Sequence, residues 1–548
     1  MKKRKVDIAV IVLPVILILF TLFVYAPISV YVGNQIEYFF SLWDFLPQGL
    51  LMGLAGGAAA VLVYLLLRGK GRDAWAAAVF AVGVALFLQG NFMNLNYGTL
   101  DGRGVKWDQY TGYAVVNTVV WLALIAAAVV LMLKKRDMMR GVIRYGAILL
   151  TAYQAVMLAM LLFTTPITWQ PQDWVVSDVN STTLSSNDNT VVFLVDACDT
   201  NYFQQILDEE PELLEEWDGF VYYPDFVSAY SKTRMSLTYI LSRQWYENDR
   251  TIRDYVNAAY DDVPLLDELE AADYDIGIYT QSVFVSGSLA GRVSNILPVR
   301  QVISSPFGLA RQMLKLSCFS YGPHLLKPYF EFYTEDFDVF YAAEDGGKVY
   351  SKSNYDFAQR AAGELQLTDR NAFRFYHIVG SHFPCDMDAD GNFVGVWQSN
   401  AYDQTRGVFK TIIKPFMEQM KRLGIYDDAT IVIMADHGRF DEGISYPTFV
   451  IKRPDAHGPV TTCDTPASHA ELHATLLQCA GLPVPEGQTS IFDLDPDADY
   501  QRRYLYYPTS HDNGGYLPDL KEYMVGPGLD AHETGRLLTR KGIVETGE

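Results

Sequence analysis

Two regimes of hydrophobic patterning divide the chain. Up to about residue 165, apolar residues run in long unbroken stretches. Beyond it, short apolar runs alternate with amphipathic ones. Five stretches, roughly 7–31, 46–67, 74–92, 112–133 and 143–164, are each long enough to span a bilayer as a helix. Residues 166–188 are rich in Ser, Thr, Asn and Asp and read as a linker. After it, TVVFLVD (190–196), YDIGIYT (274–280), FRFYHIV (373–379), TIVIM (430–434), TFVIK (448–452) and RYLYY (503–507) read as strands. Helical spacing marks 201–217, 353–366, 405–423 and 468–480. Such alternation predicts an α/β domain over 189–548, with a mostly parallel central sheet covered by helices on both faces. A C-terminal subregion begins near residue 495.

Charge orients the spans. Lys2, Lys3, Arg4 and Lys5 precede the first; Arg68, Lys70 and Arg72 lie between the second and third; Lys134, Lys135, Arg136 and Arg140 lie between the fourth and fifth. All three clusters fall on one side, which the positive-inside rule makes cytoplasmic. An odd number of spans then places the α/β domain outside, making a multi-pass cell-membrane protein with a cytoplasmic N-terminus. Trp169 and Trp174 fit the headgroup level there. A cleaved signal peptide is a poor reading of the first stretch, which is too long and is followed by four more. Lys and Arg number 43 against 64 Asp and Glu, a net charge of −21, which argues against a nucleic-acid partner. Five scattered cysteines without a CxxC pair permit at most two disulfides.

Candidate chemistry sits at the ends of the predicted strands, where open parallel sheets bind their ligands. IVIMADHGRF (431–440) ends a greasy strand with Asp436 and His437, a hard oxygen beside a borderline nitrogen, and Gly438 suits a sharp turn. Asp196 ends another strand in VVFLVDACDTNYF; it is either a metal ligand or the cap of the next helix, a task Asp199 can equally perform. In DFVSAYSKTRMSLTYIL, Thr233 stands between Lys232 and Arg234 ahead of a helical run. It is either ordinary capping or an oxygen nucleophile stabilised by a helix N-terminus and a metal. In YHIVGSHFPCD, His382 follows a strand closely enough to bind a phosphoryl oxygen, protonate a leaving group or ligate a second metal. An exposed loop histidine is the alternative. His457, His469 and His473 are further candidate ligands, the last two four apart on a predicted helix that also serves for packing. Arg439 and Glu442 are candidates for substrate contact or for surface ion pairs.

The order of these segments resembles the alkaline phosphatase/sulfatase superfamily. Within it, five spans followed by an outer domain are similar to the lipoteichoic acid synthase group. SKTRMS resembles that group's nucleophile segment, SHFP its His-Phe-Pro, ADHG its Asp-His ligand pair, and SHAELHATLLQCAG (468–481) the superfamily's late helix. The resemblance implies that Asp196, Thr233, Asp436 and His437 hold one divalent ion, Mn²⁺ foremost, with Zn²⁺ or Mg²⁺ as alternatives, and that Thr233 is both ligand and nucleophile. Asp196 stands where lipoteichoic acid synthases usually carry Glu. The chain lacks the C-x-P-x-R segment of sulfatases, which disfavours sulfate ester hydrolysis. The stretch YTQSVFVSGSLAGRVSN lacks the Trp of the glycerol-phosphate pocket, which leaves the head group open.

The expected function is a membrane-anchored extracytoplasmic phosphotransferase. It would move a phosphoglycerol or phosphoethanolamine head group from a phospholipid donor, through a phosphothreonine, to an envelope glycan or polymer acceptor. His382 would serve the oxygens during transfer. A phosphodiesterase or other hydrolase is the alternative, and a catalytically inactive binding protein a further one.

Overall fold

Every unbroken apolar stretch forms a helix in the computed structural model, which describes residues 7–35, 38–97, 104–165, 167, 169, 171–396, 398–439, 444–508 and 515–545. The helices are α1 (Ala9–Gly33), α2 (Leu42–Leu66), α3 (Gly69–Phe92), α4 (Thr111–Lys134) and α5 (Arg136–Thr164). All five are long and apolar enough to cross a membrane. Small residues bring α1 and α2 together: a Cβ on Gly53 would lie 2.9 Å from Phe23, and one on Gly57 would lie 2.8 Å from Val15.

The chain divides into two compact units, Met1–Gln172 with Val302–Ala342, and Asp173–Gln301 with Ala343–Glu548. This corrects the sequence-based boundary, because 302–342 lies inside the expected α/β domain yet folds with the apolar helices. Helix Pro306–Tyr321 buries Leu309, Met313 and Leu316 in one cluster with Ile28, Tyr31 and Phe45. Its helical periodicity is visible in the sequence, but periodicity does not say which core a helix faces. The expected linker is also shorter than 166–188. Val175–Val176 and Thr183–Ser185 are short, largely buried strands, and Trp174 packs against the core of the second unit. The five cysteines are all free thiols.

The second unit is built on a seven-stranded sheet: β1 (Asn189–Val195), β2 (Phe220–Tyr222), β3 (Tyr274–Tyr279), β4 (Asn371–Ile378), β5 (Thr430–Met434), β6 (Phe449–Lys452) and β7 (Thr461–Thr462). Their order is β7-β2-β6-β5-β1-β4-β3. Strands β5, β1, β4 and β3 run parallel, while β6 runs antiparallel to both β5 and β2. Every residue of β1 is buried, as expected of a continuously apolar strand covered on both faces. The predicted strand 503–507 belongs instead to a separate antiparallel sheet of β8 (Arg502–Tyr506), β9 (Leu520–Gly526), β10 (Asp530–Thr539) and β11 (Gly542–Glu545). The three neighbours β5, β1 and β4 end at Met434, Val195 and Ile378. Asp436-His437, Asp196 and Gly380-Ser381-His382 therefore follow adjacent strands at one edge of the sheet.

Candidate active site

Asp196 follows β1 directly and is completely buried. It does not cap α6 (Thr200–Glu209); Asp199 does, accepting from the Asn201 N–H at 2.9 Å. Ala197 sits in the left-handed region, φ 57°, which turns its N–H onto Asp436 Oδ1 at 3.2 Å. A non-glycine residue in that conformation is strained backbone of the kind concentrated at functional sites.

Thr233 is the first residue of α7 (Thr233–Ser242), whose N-cap makes no side-chain hydrogen bond. The capping alternative is therefore replaced by another arrangement. Thr233 Oγ1 lies 3.1 Å from His437 Nε2 and 3.4 Å from Asp196 Oδ1. The preceding residues are held from the C-terminal sheet side: Ser231 Oγ donates to the Tyr507 carbonyl at 3.1 Å and accepts the Tyr507 N–H at 3.1 Å.

The Asp436-His437 segment is clamped on its backbone. Ser236 Oγ donates to the Asp436 carbonyl at 2.5 Å, and His469 Nε2 donates to the Ala435 carbonyl at 3.0 Å. Gly438 is required for a different reason than a sharp turn: a Cβ there would lie 2.6 Å from the Tyr446 nitrogen, so the residue admits a close backbone approach. His437 Nδ1 donates to the Gly438 carbonyl at 2.6 Å. That fixes the tautomer and leaves a lone pair on Nε2.

Ligand atoms of Asp196, Asp436 and His437 lie within 4.8 Å of one another. Asp436 Oδ2 is 3.5 Å from His437 Nε2 and has no hydrogen-bond partner among the described residues. Three lone-pair-bearing groups thus converge, and the Thr233 hydroxyl has one proton to share among them. An orphaned buried carboxylate oxygen facing an imidazole lone pair is costly unless a cation fills the gap. Two carboxylates, a hydroxyl and an imidazole suit Mn²⁺, Mg²⁺ or Zn²⁺.

The electrostatics agree. Burial, and then the charge of Asp196, pushes Asp436 up to about 7. Burial opposes ionisation of Asp196, but His382, Lys352 and His377 together outweigh it and hold that carboxyl well below the usual range. Burial pushes His437 down to about 4, favouring the neutral ring that ligates metals.

His382 is half-buried on the loop after β4, with Nδ1 donating to the Phe383 carbonyl at 2.5 Å, and it acts electrostatically on Asp196. Gly380, φ 58°, lets this loop pass under Asp196; a Cβ there would lie 2.6 Å from the Asp196 nitrogen.

The other candidate histidines do not join the cluster. His469 is spent on Ala435, His473 Nε2 donates to the Ile240 carbonyl at 2.8 Å, and His457 lies on the surface against Asp218. The Arg439 N–H donates to Asp199 Oδ2 at 3.0 Å, and Glu442 lies outside the described residues. Two residues escaped the sequence reading. Lys352 Nζ is 3.4 Å and His377 Nε2 3.1 Å from Asp196 Oδ2, and both side chains are buried. Lys352 has no local signal. His377 had one, an imidazole inside an otherwise apolar strand.

The sulfatase family profile matches residues 188–482, more than half of the chain. No curated protein sequence matches it. Among solved structures, Ps i-CgsB in complex with k-i-k-neocarrahexaose is 13% identical at TM-score 0.40, covering 62% of this chain and 84% of that one. The phosphonate monoester hydrolase SpPMH from Silicibacter pomeroyi is 14% identical at TM-score 0.35, covering 65% and 90%. The lipoteichoic acid synthase LtaP from Listeria monocytogenes is 14% identical at TM-score 0.31, covering 68% and 91%. On the profile match, with the strand-end cluster in the expected order, the chain belongs to the sulfatase family.

Proposed function

We propose that the protein is a membrane-anchored, extracytoplasmic, metal-dependent phosphotransferase that uses Thr233 to take a phospholipid head group and pass it to a hydroxyl of an envelope glycan or polymer. The observation that carries this reading is the Thr233 hydroxyl at the start of α7, 3.1 Å from His437 Nε2 and beside two buried carboxylates. A helix N-terminus favours the anionic phosphoryl group. The five long apolar helices on the same chain suit a lipid donor, phosphatidylglycerol or phosphatidylethanolamine, and a diacylglycerol product that returns to the bilayer.

Asp196, Thr233, Asp436 and His437 would hold the ion, Mn²⁺ foremost, which would supply Lewis-acid activation of the hydroxyl and the phosphoryl group. Thr233 Oγ bonds to phosphorus and gives up its proton to solvent. The bond from phosphorus to the diacylglycerol oxygen breaks, and His382 hands that oxygen a proton. The remaining phosphothreonine diester is resolved when the acceptor hydroxyl attacks the same phosphorus and passes its proton to His382, the bond from phosphorus to Thr233 Oγ breaks, and Thr233 regains a proton from solvent, so one site serves both half-reactions.

Hydrolysis, with water as acceptor, uses the same nucleophile and is favoured by the family's name alone. Mass spectrometry of the Thr233 peptide after incubation with defined phospholipids and Mn²⁺ tests the first half-reaction. An adduct with the mass of one head-group phosphate is expected, and no adduct from any lipid would end the proposal. Products formed with and without a glycan acceptor separate transfer from hydrolysis.

A further inference from the structure

The short turn His324–Phe330, in the segment that folds with the apolar helices, is built inside out. Its two nitrogen-bearing side chains, His324 and Lys327, are buried, whereas Leu325, Leu326 and Tyr329 are 56%, 42% and 78% exposed. Lys327 Nζ donates to the Phe319 carbonyl and lies 5.7 Å and 5.0 Å from the ring centroids of Tyr97 and Phe319. It has no carboxylate partner among the described residues. His324 Nδ1 lies 2.8 Å from the Tyr97 hydroxyl. In water this polarity is the wrong way round, since it buries an ammonium without a counter-charge and leaves large apolar side chains out. In hydrocarbon it is the right way round, because there ionisable side chains turn towards the protein interior.

The partners of the turn fix its depth. It packs on α4, where the His324 N–H donates to Asn117 Oδ1 at 2.9 Å. Asn117 lies six residues beyond Thr111, the first residue of α4, which is about 9 Å along the helix axis. Tyr321, just before the turn, closes on α3 near its end, where a Cβ on Gly90 would run into the Tyr321 ring. The segment therefore reaches past the ends of these spans. Both are ends away from the three basic clusters. On α4 the exposed Val115, Val116 and Val119 bracket Asn117, so apolar side chains of the span and of the turn face outward near one depth.

We propose that segment Val302–Ala342 is a second membrane attachment, with Leu325, Leu326 and Tyr329 inserted into the leaflet at the end of the spans away from the basic clusters. The occupant of this surface is the boundary between head groups and acyl chains, which suits a tyrosine beside two leucines. The Ser304 N–H donates to the Phe340 carbonyl at 2.8 Å, so the excursion leaves and returns at one point. The chain on either side of it belongs to the second unit, which is thus tied to the bilayer through this segment as well as through Gln172. The assignment rests on the membrane-anchored part of the reading above and not on its chemistry.

The test uses the full-length chain in vesicles of phosphatidylethanolamine and phosphatidylglycerol. A nitroxide is attached at Leu325→Cys, Leu326→Cys or Tyr329→Cys, one at a time, and the signal of labelled wild type is subtracted for the native thiols. Electron paramagnetic resonance then reads collisions with oxygen, which concentrates in hydrocarbon, and with a nickel chelate, which stays in water. Leu149→Cys on α5 serves as the lipid reference and Ile543→Cys on β11 as the aqueous one; the native side chains are 69% and 47% exposed.

The three turn positions are expected to favour oxygen over nickel, closer to Leu149 than to Ile543. Collisions dominated by nickel would overturn the proposal. So would shielding from both reagents, the mark of a protein partner such as a second copy of the chain. Each position is read independently, so a variant that fails to fold leaves the other two to decide. Turn positions in water with Leu149 in lipid end this assignment alone, whereas Leu149 in water ends the membrane-anchored reading with it.

Discussion

Asp436→Asn should make the metal-free protein more stable while abolishing metal binding. Folding raises the Asp436 pKa from 3.8 to about 7, with burial and the Asp196 charge as the causes. A carboxyl whose folded pKa lies above its unfolded value holds its proton more tightly when folded. The cost of ionising it is absent below about pH 3.8, grows as the pH rises, and is complete above about 7. At 1.36 kcal/mol per tenfold change in proton affinity, the difference is an upper bound of roughly 4 kcal/mol, some of it shared with Asp196.

Asparagine keeps the shape and drops the charge. Its oxygen still accepts the Ala197 N–H, and its amide can donate to the His437 Nε2 lone pair, which faces Asp436 Oδ2 at 3.5 Å. The assay is thermal or urea unfolding of chelator-treated protein at about pH 5 and about pH 8, with and without Mn²⁺. The variant's midpoint should exceed wild type by a few degrees at the higher pH and approach it at the lower. Mn²⁺ should raise the wild-type midpoint, more at the higher pH, and leave the variant unmoved. A metal-free variant no more stable than wild type at about pH 8, or one still stabilised by Mn²⁺, would refute the claim that Asp436 Oδ2 is held in reserve for a cation.

Thr233→Ala should abolish the peptide adduct while leaving the fold intact, since its hydroxyl caps no helix; circular dichroism and adduct mass check this. Gly380→Ala forces φ 58° on a residue with a Cβ and drives that carbon to 2.6 Å from the Asp196 nitrogen. The left-handed conformation alone costs about 1–2 kcal/mol, and the clash adds to it, so a lower unfolding midpoint and slower adduct formation are expected. Asp199→Ala removes the cap of α6 and the acceptor of the Arg439 N–H. It should cost about 1–3 kcal/mol in urea unfolding while adduct formation survives.

The strands that carry the site were legible because they are parallel and doubly covered, so their apolar runs are unbroken. The converging acids were legible because a charged residue ending such a run has few structural reasons to be there. Asp196 and Asp436 fit that rule, and Asp199 took the only competing task. Lys352 was illegible because it enters from a loop about 156 positions downstream of its partner, and no local pattern encodes that approach. His377 looked like one more strand residue, since nothing local says that its ring points at β1's terminal acid. Segment 302–342 reads by pattern as part of the α/β domain yet folds with the apolar helices, for a related reason. An amphipathic helix specifies that one face is buried, and the identity of the core that buries it is a tertiary fact.

The contrast between buried charges across the second unit argues that the cluster is retained for chemistry rather than for stability. Arg374, fully buried, pairs with Asp275 Oδ2 at 2.6 Å and spends further N–H groups on the carbonyls of Thr183 and Asp275. Arg502, equally buried, pairs with Asp225 Oδ1 at 2.7 Å and donates to the carbonyls of Val525 and Ala467. Both follow the rule that a buried ion is tolerated when partners surround it. Asp436 breaks that rule with an orphaned oxygen, Ala197 breaks the backbone rule with a left-handed alanine, and the two are joined by a hydrogen bond. On the proposed function, a fold able to satisfy Arg374 and Arg502 so fully, yet leaving these adjoining violations at the carboxyl ends of β1 and β5, has traded local stability for a place where a cation and a phosphoryl oxygen would supply the missing partners.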